Sequence, residues 1–256
     1  MIEKERHVLI MDQLRENGFV SVKDLMTRLE TSRSSVMRDL IALEGQGLLI
    51  REHGGAALPE VTQTLSRRGE PAVAEKVNEK VREKRIIAAR AAMLVKPGFC
   101  IFLDSGTTTP NVLNAIRDKE VTVVTPSVYL VKHLPEGMAG SVYLLGGQYD
   151  AKYDMNRGEY ASGMLEMFHI DLGFFSANGI RLENGDVMVA DFNLAAAKKQ
   201  AMKQCARKVL LVDDSKVNRM ASCTYAKLEE FEAVYINGKK QDDDPDNIVK
   251  VEEKQK

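Results

Sequence analysis

The chain has 256 residues, a formal net charge of −1, 44% hydrophobic and 29% charged residues. That composition excludes an intrinsically disordered chain, and the length predicts two domains or one large one. With so little net charge, no whole-molecule field draws in nucleic acid, which argues against an architectural or non-specific DNA binder and leaves DNA contact to a local basic face.

The three cysteines, Cys100, Cys205 and Cys223, form no C-x-x-C pair. They predict neither a disulfide scaffold nor a cysteine zinc site, and a reduced, cytoplasmic setting is expected. The charged start Met1-Ile2-Glu3-Lys4-Glu5-Arg6 does not read as a signal peptide. No apolar run is long enough to span a bilayer, so no membrane partner is expected.

Residues 1–58 read as three short helices and a hairpin. Val8, Leu9, Met11 and Leu14 recur near helical spacing, and Asn17-Gly18 ends the first helix. Ser21 is a candidate N-cap for the second, with Asp24 three residues on and Val22, Leu25, Met26 and Leu29 as its apolar face. Thr31-Ser32 can cap the third, which turns Val36, Leu40 and Leu43 inward and ends near Gly45–Gly47. Leu48-Leu49-Ile50 reads as a strand, His53-Gly54-Gly55 as a turn and Ala56-Ala57-Leu58 as a return. A polar stretch over 59–79 reads as a linker, and a charged run leads into a helix near 76–95.

From residue 97 strands and helices alternate. Strand-like runs fall at Phe99–Leu103, Val121–Thr125, Val142–Leu145, Leu172–Phe175, Val209–Val212 and Ala233–Ile236. Helical patterns fall near 109–117, 127–134, 158–168, 190–206 and 226–230. Alternation of this kind predicts βαβ units on a mainly parallel sheet. The charged end, 241–256, is expected to fray.

The helical unit predicts a winged helix-turn-helix whose third helix enters the major groove by its N-terminal end. Ser32, Arg33, Ser34 and Ser35 stand there, with Arg38 a turn later. Hydroxyls and amides suit phosphate oxygens, and Arg suits a guanine edge. Arg51 and His53 fall on the wing. Operator DNA is the partner expected for these seven residues.

The stretches Arg6-His7, Val20-Ser21-Val22-Lys23-Asp24-Leu25, Ser32 with Val36, Arg38-Asp39-Leu40, Leu43-Glu44, Gly47-Leu48-Leu49-Ile50-Arg51 and His53-Gly54-Gly55-Ala56 together resemble the DNA-binding domain of the DeoR family of bacterial regulators. Met37 departs from the family pattern, which has Arg before Arg38.

In the second half, the strand ending at Leu103 runs into Asp104-Ser105-Gly106-Thr107-Thr108-Thr109-Pro110. Gly106 permits a tight turn, a Thr can cap the next helix and Pro110 suits its first turn. Small hydroxyls beside a helix start make an anion cradle. Thr125-Pro126-Ser127, Gly146-Gly147 and Asp213-Asp214-Ser215-Lys216 mark other strand ends, where ligands of open α/β sheets bind. Lys152 and Arg157 are possible phosphate partners, although solvated surface is the first reading for both.

This half, roughly residues 80–238, resembles the DeoR effector domain, which is similar in fold to ribose-5-phosphate isomerase. The resemblance implies a Rossmann-like α/β domain that binds a phosphorylated sugar through Asp104, Ser105, Gly106, Thr107, Thr108, Thr125 and Ser127. Gly146, Gly147, Asp213 and Lys216 match family landmarks, and Lys199 resembles the family's lysine in its helix. Pro126 replaces the commoner Asn. Leu194-Ala195-Ala196-Ala197 replaces the acidic residues expected before the lysine, which weakens an acid/base scheme.

The whole reads as an α/β protein with an N-terminal winged helix-turn-helix over 1–58, a linker over 59–79 and an effector-binding and oligomerisation domain over 80–240. It implies a DNA-binding regulator, a repressor of a carbohydrate-utilisation operon, acting as a homodimer or homotetramer. The alternative is a phosphosugar isomerase fused to a helix-turn-helix. No catalytic residue, cofactor or metal is expected: His7, His53, His133 and His169 are far apart in sequence.

Overall fold

The computed structural model describes residues 3–17, 19–52, 55–57, 73–241 and 244–252. The chain divides into two units. One holds Met1–Glu70 with Met188–Ala195 and Met220–Thr224, the other Pro71–Val187, Ala196–Arg219 and Tyr225–Lys256.

The N-terminal elements run α1 (Glu3–Asn17), β1 (Phe19–Ser21), α2 (Val22–Arg28), α3 (Arg33–Gly45), β2 (Ile50–Glu52) and β3 (Gly55–Ala57). The three strands pair antiparallel in the order β1-β3-β2. The predicted caps form: Ser21 Oγ accepts the Asp24 amide at 3.0 Å and donates to Asp24 Oδ2 at 2.7 Å. Ser32 Oγ accepts the Ser35 amide. Ile10 and Leu14 of α1 meet Leu25, Leu29, Val36, Leu40 and Leu43 in one apolar core. Of the residues at helical spacing in α1, Val8 and Leu9 are exposed and Leu14 is buried. The inward positions of α1 are Ile10 and Leu14, four apart. The extended strand β1 lay unseen in the sequence because three residues carry too little pattern. His53 lies outside the described residues.

The second unit begins with α4 (Val73–Lys76) and α5 (Val81–Ala91), which one turn of 3-10 helix, Ala92–Leu94, continues. The single helix expected at 76–95 is therefore broken: Lys80, at the start of α5, takes a left-handed conformation with φ 51°. Then follow β4 (Cys100–Leu103), α6 (Thr109–Ala115), β5 (Thr122–Thr125), α7 (Val128–Lys132), β6 (Ser141–Leu144), β7 (Gln148–Asp150), β8 (Met155–Arg157) and α8 (Glu159–Leu165). After these come β9 (Ile170–Ser176), β10 (Gly179–Ile180), β11 (Asp186–Val189), α9 (Phe192–Gln204), β12 (Cys205–Val212), β13 (Cys223–Lys227), β14 (Ala233–Asn237) and β15 (Ile248–Val251).

Among the described residues, seven strands form one sheet in the order β15-β14-β12-β9-β4-β5-β6, and every neighbouring pair is parallel. Strands with both faces covered read as near-continuous apolar runs. Accordingly Ile101, Leu103, Val123, Leu172, Phe174, Val209 and Leu211 share a core with Ile87, Ala88 and Ala91 of α5 and Val112 and Leu113 of α6.

The charged end does not fray throughout. Ile248–Val251 pairs with β14 and closes that edge of the sheet, with Ile248 and Val251 buried. The expected helix near 226–230 is one 3-10 turn, Leu228–Glu230.

The topology decides where a ligand can bind. From β4 the chain steps outward through β5 to β6, then returns to lay β9 on the other side of β4. The strand order reverses between β4 and β9. In open α/β sheets the crevice beyond the strand carboxyl ends opens at such a switch point.

Candidate functional site

The reader candidates lie at the start of α3. Ser32, Arg33, Ser34 and Arg38 are exposed, and Ser35 is partly so. Ser32 Oγ lies 2.9 Å from Ser34 Oγ and 3.1 Å from Ser35 Oγ. Arg38 is exposed, and its Nε donates to the Ser34 carbonyl at 3.3 Å. Arg51 is differently placed. Its amide and its Nε donate to Glu44 at 3.0 and 2.6 Å. Glu44 is held below the usual carboxylate range, first by that amide and then by the guanidinium. Arg51 therefore fixes the wing to α3.

Asp39, next to Arg38, faces the other way. It is buried and accepts Arg6 Nε at 2.7 Å and Arg6 Nη2 at 2.8 Å, with His7 Nε2 at 3.3 Å. This clamp ties α1 to α3, so the paired stretches Arg6-His7 and Arg38-Asp39 meet in space.

The second constellation sits at the switch point. The Asp104 amide donates to the Phe174 carbonyl at 3.1 Å, which zips the β4 end to β9. Asp104 Oδ1 accepts the Ser105 amide at 2.8 Å. Oδ2 accepts the Ser176 amide at 3.0 Å and the Ser176 hydroxyl at 2.7 Å, and it is paired with Lys198 Nζ. Lys198 also donates to the Ser176 carbonyl at 3.1 Å, and the buried Tyr225 donates its hydroxyl to the same carbonyl at 3.0 Å. Burial raises the Tyr225 phenol well above its ordinary value.

Gly106 is needed for space. A Cβ there would run into the Ser176 side chain. Thr109 Oγ1 donates toward the Asp104 and Gly106 carbonyls, 2.7 Å from each, so it knots the loop. The expected threonine cap does not form: Thr108 holds the N-cap position with no side-chain cap bond. Pro110 does stand in the first turn.

Several candidates help to hold the fold. Thr125 Oγ1 donates to the Leu103 carbonyl at 2.6 Å and accepts the Ser127 amide at 3.1 Å. Ser127 Oγ caps α7 by accepting the Leu130 amide at 3.0 Å. Asp213 caps the turn after β12 through Ser215. Ser105, Gly106, Thr107, Gly146 and Lys216 are partly exposed and Gly147 is exposed, so these retain a surface toward a ligand. Gly147 has φ +122°, a conformation side chains rarely adopt.

Lys199 does not join this constellation. It is exposed, and its neighbour Lys198 is the lysine that reaches Asp104. The pattern of α9 gives the reason. Leu194, Ala195, Ala201 and Met202 are its buried stripe, and Lys198 falls on that stripe at i+4 from Leu194. That signal was available in the sequence. Ser176 and Tyr225 carried no comparable mark, because each acts through a partner distant in the chain.

A model described as the DeoR-like helix-turn-helix domain matches residues 6–62. One described as the DeoR C terminal sensor domain matches residues 79–237. The chain belongs to the DeoR family. This DeoR-family regulator is 33% identical over 228 residues to a Bacillus subtilis protein called uncharacterized HTH-type transcriptional regulator FruR, covering 88% of each chain. It is 32% identical over 246 residues to the lactose phosphotransferase system repressor of Streptococcus mutans, covering 95% of each. It is 29% identical to the B. subtilis HTH-type transcriptional repressor GlcR, covering 91% of this chain and 87% of that one. A solved structure of ribose 5-phosphate isomerase A from Methanocaldococcus jannaschii is similar over 52% of this chain and 53% of that one, at 19% identity and a TM-score of 0.39. No helix among the described residues is long and apolar enough to cross a membrane.

Proposed function

We propose that this regulator represses a carbohydrate-utilisation operon and that a phosphorylated sugar, bound at the switch-point crevice, controls its affinity for operator DNA. What supports this reading is the exposed face at Ser32–Arg38 together with Ser105, Gly106, Thr107, Gly146, Gly147 and Lys216, at least partly exposed at strand ends. Phosphates and sugar hydroxyls call for those groups. The likeness to a lactose phosphotransferase system repressor supports a sugar-linked role.

Ser32, Arg33, Ser34, Ser35 and Arg38 contact operator DNA, and Ser105, Gly106, Thr107, Gly146, Gly147 and Lys216 line the ligand site. The reader spans 1–58, the linker 59–79 and the sensor 80–240, with Ile248–Val251 added to its sheet. The protein works in the cytoplasm as a homodimer or homotetramer, because paired readers match paired half-sites. The isomerase alternative needs a free acid–base pair. Both Asp104 oxygens accept hydrogen bonds and Lys198 is paired with one of them, which favours a binding site.

A ligand that binds the folded state raises the melting temperature by mass action. Melting curves against hexose and pentose phosphates and their unphosphorylated sugars should show a selective rise with one phosphate, and that compound should release operator DNA in an anisotropy titration. A panel with no rise, or a rise without release, overturns the reading.

A further inference from the structure

The segment that leads into the sensor domain is fastened at two places. The Val73 amide at the start of α4 donates to the Lys152 carbonyl at 3.2 Å, in the turn between β7 and β8, and Val73 is buried. Lys80, after α4, pairs with Asp214 at 3.1 Å, in the loop that follows β12. Residues 73–79, expected as the end of a linker, are thus docked on the sensor domain.

The two anchors belong to different parts of the sheet. In the β7–β8 hairpin the Asn156 amide donates to the Pro126 carbonyl at 2.8 Å and its Nδ2 to the Leu145 carbonyl at 2.9 Å, so the hairpin sits on the carboxyl ends of β5 and β6. The Asp214 amide donates to Asn237 Oδ1 at 2.8 Å, which ties the loop after β12 to the end of β14. In the strand order β9 and β4 lie between these two groups. The segment Val73–Lys80 therefore has one end on each side of the switch point.

Its hold is unequal along the chain. Beyond Lys80, α5 is fixed: Ile87, Ala88 and Ala91 are buried in the core of the sheet. Before it, Val73 aside, α4 is fastened by single hydrogen bonds and by an ion pair whose side chains are 37% and 50% exposed. Such contacts contribute little. One of them comes from Lys84 of α5, whose ammonium donates to the Lys76 carbonyl at 2.5 Å. Lys80 itself is left-handed, with φ 51°, a conformation that residues other than glycine rarely adopt. A weakly fastened helix joined through a strained residue to a fixed one is an element that a second site can bias.

We propose that Val73–Lys80 is a strap that sets where the tether to each reader leaves the sensor domain, and that a ligand in the switch-point crevice lowers operator affinity by loosening it. The ligand and the pairing of readers rest on the proposed function; the fastening does not. Two tethered readers engage paired half-sites at an effective concentration set by the reach of their tethers, so a shifted exit point changes affinity without altering a DNA contact. The crevice lies between the anchors. A ligand that binds better when the loop after β12 has moved shifts the strap by that difference in affinity.

The test uses the full chain and duplex DNA selected by wild type from random sequence, in versions with paired and with single half-sites. Lys80→Glu sets like charges against each other at Asp214. It should speed amide exchange over Val73–Lys80 and weaken binding to the paired duplex at least about threefold, while the single half-site stays within about twofold. Lys80→Glu combined with Asp214→Lys remakes the pair and should restore both readouts. Lys96→Glu, exposed ahead of β4 at the other end of the sheet, should follow wild type. The strap is overturned if exchange does not rise in Lys80→Glu, if it rises while the paired duplex binds as in wild type, or if the single half-site weakens as much as the paired one. Glucose, fructose, galactose and ribose phosphates then test the ligand's part. A compound that releases paired DNA from wild type should speed exchange over Val73–Lys80 and leave α5 unchanged. Release without that change overturns the ligand's action on the strap and leaves the sugar-phosphate reading standing. If no compound releases DNA while Lys80→Glu and the remade pair behave as expected, the strap stands and the sugar-phosphate reading falls.

Discussion

Lys198 and Asp104 form a buried ion pair across the point where the strand order reverses, their side chains 6% and 4% exposed. The pair joins α9 to the carboxyl end of β4, and Ser176 binds both partners. Removing one member of such a pair leaves an uncompensated buried charge, which costs about 3–5 kcal/mol. Lys198→Met should therefore lower the free energy of unfolding by about 3 kcal/mol in urea titrations, while Lys199→Met stays within about 0.5 kcal/mol of wild type. Equal effects at the two positions would remove the distinction between them.

Arg38 and Arg51 separate by their partners. Arg38 is exposed and its Nε meets the Ser34 carbonyl, whereas Arg51 is held by Glu44. Arg38→Ala should weaken operator binding at least tenfold, about 1.4 kcal/mol or more, with no change in melting temperature. Arg51→Ala should weaken it less. Fluorescence anisotropy on operator DNA checks both, and an Arg38→Ala affinity within about twofold of wild type would clear α3 of the reader role.

Two glycines should respond oppositely to alanine. At Gly106 a Cβ collides with Ser176, so Gly106→Ala should cost about 1–3 kcal/mol. Gly45, in the last turn of α3, has open space around its Cβ position and no positive φ. Gly45→Ala should stabilise by about 0.4–1 kcal/mol through the unfolded state. Thermal melts of the two variants provide the comparison.

Lys76 sets a pH dependence. Its folded value, about 7, lies below the ordinary 10.5, so between those limits the unfolded chain binds more protons at this site. Stability from this residue therefore rises with pH, is complete above the unfolded value and is lost as pH falls through about 7. The melting temperature of Lys76→Met should exceed that of wild type at pH 7, and the gap should narrow as pH rises to 9.5. A gap that stays constant across this range would place the Lys76 ammonium in an ordinary environment.

Local features were legible where the signal is local. Ser21 and Ser32 announced their caps, Val36, Leu40 and Leu43 announced the buried side of α3, and the apolar runs announced the central strands. Short elements escaped: β1, the β7–β8 hairpin and the β10-β11-β13 sheet are too brief to show a period. Ile248–Val251 escaped because its strand depends on the open edge of β14. At the site, Asp104, Gly106 and Lys216 were legible as residues of a strand-end loop, but not what each does. Asp104 spends its oxygens on Ser105, Ser176 and Lys198, and Gly106 exists to make room for Ser176.

The sequence by itself determined the two kinds of unit, the parallel sheet, the helix α3 and the strand-end loop. Caps, apolar periodicity and turn residues act between neighbours in the chain, so they are written in order along it. Tertiary structure alone decided that Lys198 closes on Asp104 and that Ser176 binds both. Electrostatic interaction depends on distance and burial, and residues 94 positions apart acquire both only when the sheet brings their segments together.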